Sequence, residues 1–152
     1  MIHNKVLLAV AGTAAGVILT ILLLNGTVTG VLQGQVTLPN VGTVRAIGVG
    51  VYWDAGCSNQ VTSIDWGTVE PGATVNVIVY IKNEGNAPMT LSSQTENWSP
   101  SIASSYMSLN WDYAGQTIDV DGVIQVTLSL SVSDTIEGIT SFSFDIVIIG
   151  SE

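Results

Sequence analysis

Strict alternation of apolar and polar residues is the feature that most constrains the fold of this chain. The cleanest run is Ile124–Val132, where Ile, Val and Leu alternate with Gln, Thr and Ser. Similar runs occupy Val75–Ile81 and Phe142–Ile148. Successive side chains of a β-strand point to opposite faces of the sheet. Each run therefore predicts a strand with one face in a core and the other in solvent.

Further runs and the turns between them predict the architecture. Strands are also expected at 28–38, 43–53, 64–66, 89–92, 106–111 and 116–120. Turn-forming residues separate the runs, as at Glu70-Pro71-Gly72, Asn83-Glu84-Gly85-Asn86, Asp121-Gly122 and Glu137-Gly138. The stretch Glu96–Pro100 is predicted to be a loop that carries Trp98. About seven to nine short antiparallel strands at this spacing predict an all-β fold, an Ig-like or jelly-roll β-sandwich.

A hydrophobic helix is predicted ahead of the sandwich. Val6–Leu24 holds 19 residues without a charge, which as a helix would span a bilayer core. Lys5 precedes this segment and the next cation is Arg45, so the chain after Leu24 is expected outside the cell. A cleaved signal peptide, a retained anchor and a helix in a filament core all remain open. The predicted parts are 1–25 for this segment, 26–42 for an extended strand and 43–152 for the sandwich.

Composition excludes several classes of function. Charged residues are 10% of the chain, and 12 acidic residues against 3 basic ones give a net charge of −9. Nucleic-acid binding needs clustered cations, so no such partner is expected. The chain has one His and one Cys, which excludes a His-containing catalytic triad, a multi-His metal site and an internal disulfide. We therefore expect a protein that is not an enzyme.

Three kinds of small site remain candidates. Asp119 and Asp121 stand two apart before Gly122 and are the candidate ligands for calcium, the one cofactor that the sequence leaves open. Asn97 begins the sequon Asn-Trp-Ser and is the candidate for glycosylation. Cys57 lies in a predicted loop, where burial, reactivity or pairing between chains stay open, burial being the plainest.

Two stretches carry a resemblance to a known family. They are Trp66–Gly72 with Val79–Leu91, which reads VYIKNEGNAPMTL, and the ending Ile124–Ile149. Together they resemble small exported β-sandwich proteins of archaea, which are similar to camelysin/TasA-like fibre subunits, including archaeal bundling pilins and cannula subunits. The resemblance covers about Thr43–Gly150. It implies a sandwich outside the cell and, as in the filament-forming members, an amino-terminal strand that completes the next subunit. It carries over no catalytic residue, and the sequence has no HExxH zinc motif.

The segment between the hydrophobic run and the sandwich is the candidate donor strand. Residues 28–38 are uncharged, alternate in polarity and are followed by Pro39. Their apolar phase contains Val28, Leu32, Val36 and Leu38. The expected function is a structural subunit of an extracellular filament, a pilus-like or cannula-like homopolymer that contacts the membrane through residues 6–24 before processing. The alternative is a monomeric, membrane-anchored surface domain that binds a protein or glycan.

Overall fold

A computed structural model describes residues 7–13, 16–22 and 40–152, the first two stretches as backbone strands. The chain divides into two compact units, Met1–Leu38 and Pro39–Glu152. In the first unit, β1 (Leu7–Thr13) and β2 (Gly16–Leu22) form an antiparallel pair with Leu7 opposite Leu22. The predicted donor strand, 28–38, lies outside the described residues.

The hydrophobic helix predicted for residues 6–24 is therefore not what the structure describes. The strand β2 reads GVILTIL, in which Val, Ile and Thr are β-branched and favour strands. Gly12 and Gly16 also weaken a helix, each by about 1 kcal/mol relative to alanine. Within the described residues, no helix has the length and apolar character needed to cross a membrane.

The second unit is a β-sandwich of two four-stranded sheets. Sheet I has the strand order β5-β3-β10-β7, and sheet II has the order β4-β6-β9-β8. The eight strands lie within the predicted range of seven to nine. Their bounds are β3 Val41–Ile47, β4 Val49–Tyr52, β5 Ser63–Asp65, β6 Thr74–Asn83, β7 Thr90–Ser99, β8 Met107–Trp111, β9 Val123–Val132 and β10 Ser143–Ser151. One short 3-10 helix, Ser101–Ser105, precedes β8.

The core confirms the alternating pattern. In β9 the inward residues Val126, Leu128 and Leu130 are at most 1% exposed. They face the inward residues of β10, among them Phe144 and Ile146, across the interior. Their polar neighbours along the strands stay partly or fully exposed. The two sheets are therefore held together by the side chains that the alternation assigns to the inner face.

Two features of sheet I and its connection depart from the prediction. The expected single strand at 43–53 is two strands, because Gly48 adopts a left-handed φ of 74° and the chain passes there from sheet I to sheet II. The pair β3–β10 is parallel, with Ser143 opposite Val41, so the sandwich is not wholly antiparallel. A parallel pair needs a long crossover, and here all the intervening strands of the domain supply it.

Two local predictions were wrong. Glu96–Pro100 is not a loop, because residues up to Ser99 belong to β7. Trp98 stacks on Phe144 with ring centroids 4.1 Å apart, so its indole covers one edge of the core. The expected strand at 116–120 is only an isolated bridge between Met89 and Ile118. In both places the contact partner lies far away in sequence, beyond the reach of a local pattern.

Candidate interaction surface

One side of the sandwich is closed by strands of partial length. In sheet II, β4 pairs with β6 only from Tyr80 to Asn83. Among residues 40–152, the first part of β6, Thr74–Val79, has β9 on one side and no strand on the other. We call this stretch, Thr74–Val79, the β6 edge. It is a place where a further strand could be added to the sheet.

Hydrogen bonds at both ends of β6 show which residues face the vacant side. The N–H of Asn83 donates to the carbonyl of Gly122 (3.0 Å), and the carbonyl of Ala73 accepts from the N–H of Val132 (2.9 Å). Both bonds lie on the β9 side. The N–H and C=O groups of successive residues alternate between the two sides of a strand. The backbone groups of the even-numbered residues of β6 therefore point away from β9. Within residues 40–152, no backbone hydrogen bond reaches that side of the three even-numbered residues of the β6 edge, which are Thr74, Asn76 and Ile78.

Burial along β6 changes where β4 ends. Two inward side chains of β6 are 0% exposed: Ile81, which is paired with β4, and Val79, which directly precedes the paired stretch. The preceding inward residues, Val75 and Val77, are only half-buried. On the outer face Ile78 is 49% exposed. The β6 edge therefore combines unpaired backbone groups with an apolar inner face that lacks part of its cover.

The β6 edge also lacks the features that keep strand edges from pairing. Natural sheets protect exposed edges with charges, proline, bulges or short strands. The sequence from Thr74 to Tyr80, TVNVIVY, has no charge, proline or glycine. By contrast, the outer strand of sheet I, β7, carries Glu96 and has a register shift opposite Ser143–Asp145. Compared with the β7 edge, the β6 edge is thus unprotected.

Sheet I has a matching gap at the opposite end of the same side. Strand β5 covers β3 only at Val41–Thr43, and the N–H of Val44 then donates to the carbonyl of Thr62 (2.9 Å). Beyond this point an open pocket of about 480 Å³ lies beside β3. Its apolar wall includes Val44, Ala46, Val49 and Val61, and its polar wall includes Gln60 and Glu84.

The polar wall of this pocket is tied to β4. Glu84 accepts a hydrogen bond from the hydroxyl of Tyr52, which raises the pKa of that hydroxyl above its usual value. The loop after β4 is held by Asp54, whose carboxylate accepts from the N–H groups of Ser58 and Asn59. These bonds lower the pKa of Asp54. Cys57 lies in this loop and is half-buried, so full burial, the plainest of the three expectations, is not observed.

The candidate calcium ligands lie in the turn before β9, and both side chains are exposed. Asp121 adopts a left-handed φ of 59°, and its carboxylate lies 3.2 Å from the ammonium group of Lys82. Lysine thus already supplies a positive charge beside Asp121. In the part of the chain that the structure describes, no three His, Cys, Asp or Glu residues are grouped closely enough to hold a metal ion. Calcium at Asp119 and Asp121 stays a prediction.

The candidate glycosylation site lies on a strand. Asn97, near the end of β7, is exposed and has a left-handed φ of 53°. Its side-chain nitrogen donates to the carboxylate of Asp145 on the neighbouring strand (2.7 Å). The nitrogen that a glycan would modify is therefore engaged in a cross-strand hydrogen bond.

Sequence reasoning assigned Asn83 to a turn and overlooked its role. The side chain is 0% exposed, and its nitrogen donates to the carbonyls of Ala87 (2.8 Å) and Ile118 (3.0 Å). Its oxygen accepts from the N–H of Gly85 (2.8 Å). Asn83 thus fixes the end of β6, where β4 is attached. Its position in the inward phase of β6, two residues after Ile81, was the available signal.

Comparison with known proteins gives no relative by sequence: no protein-family model and no curated protein matches the chain. Among solved structures, the ASH / PapD-like domain of human CEP192 (PapD-like domain 7) is similar, with a TM-score of 0.35 and 9% identity. The match covers 83% of this chain and 95% of that domain. A likeness at this level carries no argument, and the sandwich rests on the two sheets themselves.

Proposed function

We propose that the chain is a structural subunit of an extracellular filament, in which residues 28–38 of one copy complete the sandwich of the next. The observation that carries this proposal is the side of the sandwich closed by strands of partial length. It leaves an unprotected backbone edge at Thr74–Val79. The uncharged, alternating segment 28–38 has the character of a strand that such an edge could take up.

The proposed contact would produce an open polymer. Donor and acceptor are different surfaces of the same chain, so each copy that receives a strand still has one to give. Such heterologous contacts continue as a filament unless rotation closes them into a ring. The sandwich itself we assign to the Ig-like class, because its first strand divides between two four-stranded sheets at Gly48. This is also the kind of domain that the resemblance to camelysin/TasA-like fibre subunits implies.

Export is part of the same proposal. In a bilayer, a two-stranded hairpin leaves one side of each strand unpaired, whereas a helix satisfies its backbone groups internally. We therefore propose that residues 6–24 are helical when they meet lipid, as a leader or an anchor. Lys5 directly precedes this segment and the next cation is Arg45, which supports placing the sandwich outside the cell.

We propose a structural rather than an enzymatic role. The single histidine is His3, far from the sandwich in sequence. Lys82 is the one lysine after residue 24, and its ammonium group is paired with Asp121 at 3.2 Å. A serine in the sandwich would therefore lack a free base of the usual kind.

Two matched variants of the full chain test donation. Leu32→Asp places a carboxylate in the apolar phase of the donor, where it would enter an apolar groove. Thr29→Asp places the same charge on the opposite phase. We expect Leu32→Asp to abolish assembly, measured by sedimentation and electron microscopy, and Thr29→Asp to preserve it. Equal assembly of both variants would contradict donation. If the wild-type chain stays monomeric, the anchored surface domain becomes the better account.

A further inference from the structure

The β6 edge is where we infer that the donated strand binds: residues 28–38 of a second copy add beside Thr74–Val79, in line with β4, and lengthen sheet II. This inference rests on the proposed function, because it needs a strand that comes from another copy. Two observations carry it. Thr74, Asn76 and Ile78 turn their backbone groups to a side where residues 40–152 supply no strand, and Val75 and Val77 are incompletely covered.

The length of the donor suits this edge. Six residues of β6 span about 20 Å at roughly 3.4 Å per residue, and the eleven residues of 28–38 would span about 37 Å. About half of the donor can therefore pair with Thr74–Val79. The other half remains to bridge to its own sandwich, which begins directly after Pro39 with Asn40 and β3.

The side chains are complementary as well. On the inner face, the apolar phase of the donor would cover the half-buried Val75 and Val77. On the outer face, the polar phase would lie beside Thr74, Asn76 and the exposed Ile78. Directly opposite and diagonal cross-strand pairs of this kind stabilise a sheet. The donor thus offers apolar groups on the side where the core lacks cover.

Charge favours the same pairing. Each copy carries a formal net charge of −9, so most contacts between copies bring like charges together. The donor segment 28–38 and the edge segment Thr74–Tyr80 both have no charge. Edge pairing at β7 would instead place the donor beside Glu96. The β6 edge therefore lets two acidic chains meet through their uncharged parts.

Disulfide trapping between copies of the full chain tests this assignment. The native thiol is removed with Cys57→Ser, and one population carries Ile78→Cys on the outer face of the β6 edge. A second population, of different mass, carries a cysteine in the outward phase of the donor. The positions to be tested one at a time are Thr29, Val31, Gln33, Gln35 and Thr37. The control replaces Ile78→Cys by Ser92→Cys, an exposed position on β7. We expect at least one donor position to link to Ile78→Cys about tenfold more than to Ser92→Cys.

A proline pair provides a second test that does not depend on cysteine. Asn76→Pro removes an N–H that faces the vacant side, so the β6–β9 pairing keeps its hydrogen bonds. Ser93→Pro is the control on the β7 edge. Leu91 turns its N–H away from β10 to the hydroxyl of Tyr113, and Ser93, two residues on, faces the same way. We expect Asn76→Pro to reduce assembly at least tenfold and Ser93→Pro to leave it within twofold, with both variants folded by circular dichroism.

The outcomes separate this inference from the proposed function. Filaments that link to Ser92→Cys, or that link only two Ile78→Cys residues, would overturn the β6 edge as acceptor. Filaments that tolerate Asn76→Pro would do the same, and donation itself would stand when Leu32→Asp blocks assembly. A third variant carries Ile78→Cys and a donor cysteine in the same chain. If the link forms within this chain and none forms between the two populations, the sandwich completes itself, and the proposed function fails with the inference.

Discussion

Removing the side chain of Asn83 should cost the sandwich a large part of its stability. The substitution Asn83→Ala deletes three hydrogen bonds, two to the carbonyls of Ala87 and Ile118 and one from the N–H of Gly85. Each buried polar group left without a partner costs about 1–3 kcal/mol. The carbonyl of Ile118 keeps the N–H of Met89 as a partner, whereas the carbonyl of Ala87 and the N–H of Gly85 lose the Asn83 side chain in a partly buried place. We therefore expect the free energy of unfolding to fall by about 3–5 kcal/mol, which is large for one substitution.

Urea unfolding of the full chain, followed by tryptophan fluorescence, measures this loss. The control is Asn86→Ala, an exposed position in the same turn, which should change the free energy of unfolding by less than about 0.5 kcal/mol. Asn83→Asp keeps the acceptor for Gly85 but loses both donated bonds, so it should also destabilise strongly. If Asn83→Ala unfolds within about 1 kcal/mol of the wild type with an unchanged slope, the reasoning on this network is wrong.

Three further predictions follow from the packing and the charges. Gly150→Ala should lower the free energy of unfolding by about 1–3 kcal/mol in the same assay. The added Cβ would overlap the buried Met89 and lie 3.0 Å from a methyl carbon of Val49. An unchanged unfolding midpoint would refute the overlap. The carboxylate of Asp112 accepts a hydrogen bond from the N–H of Thr127, which lowers the pKa of Asp112. The ionised carboxylate therefore stabilises the fold at pH values above about 3.9, the ordinary pKa of an aspartate, and this stabilisation is lost as the pH falls below that value. Asp112→Asn should accordingly lower the melting temperature at pH 7 and have a smaller effect at pH 2. An equal loss at both pH values would contradict this. Because the sandwich is acidic, divalent cations or a pH near 4 should favour assembly, and light scattering that ignores both chelator and pH would count against it.

The alternation of apolar and polar residues was sufficient to predict the sandwich. It could not predict the stretch of β6 that β4 leaves uncovered. Strands β6 and β9 have one buried face each, so period two gives their inner residues directly. In β10, Val147 on the outer face is buried as well. How much of β6 is covered depends on where β4 begins and ends. That is decided by the left-handed conformation of Gly48 and by the turn that Asp54 holds after Tyr52. Neither is visible as a period, and both depend on contacts between sheets.

Residues with mixed character were predicted least well. Trp98 lies among polar residues, and its assignment to β7 depends on stacking with Phe144, which is 46 positions away. Asparagine is common in turns, and Asn83 is followed by the turn-forming residues Glu84 and Gly85. Its side chain is buried because the carbonyls of Ala87 and Ile118 accept its hydrogen bonds. The segment before residue 24 is apolar enough for a helix and β-branched enough for strands, so its pattern alone does not choose between the two.

Negative-stain electron microscopy of cell-surface material, with mass spectrometry of the mature amino terminus in the same sample, tests the central claim most directly. Strand donation predicts fibres whose subunits begin before Val28, because the donor must remain attached to each copy. Single particles without fibres would contradict the account. So would fibres whose subunits begin after Leu38, since these would assemble without the segment that is supposed to join them.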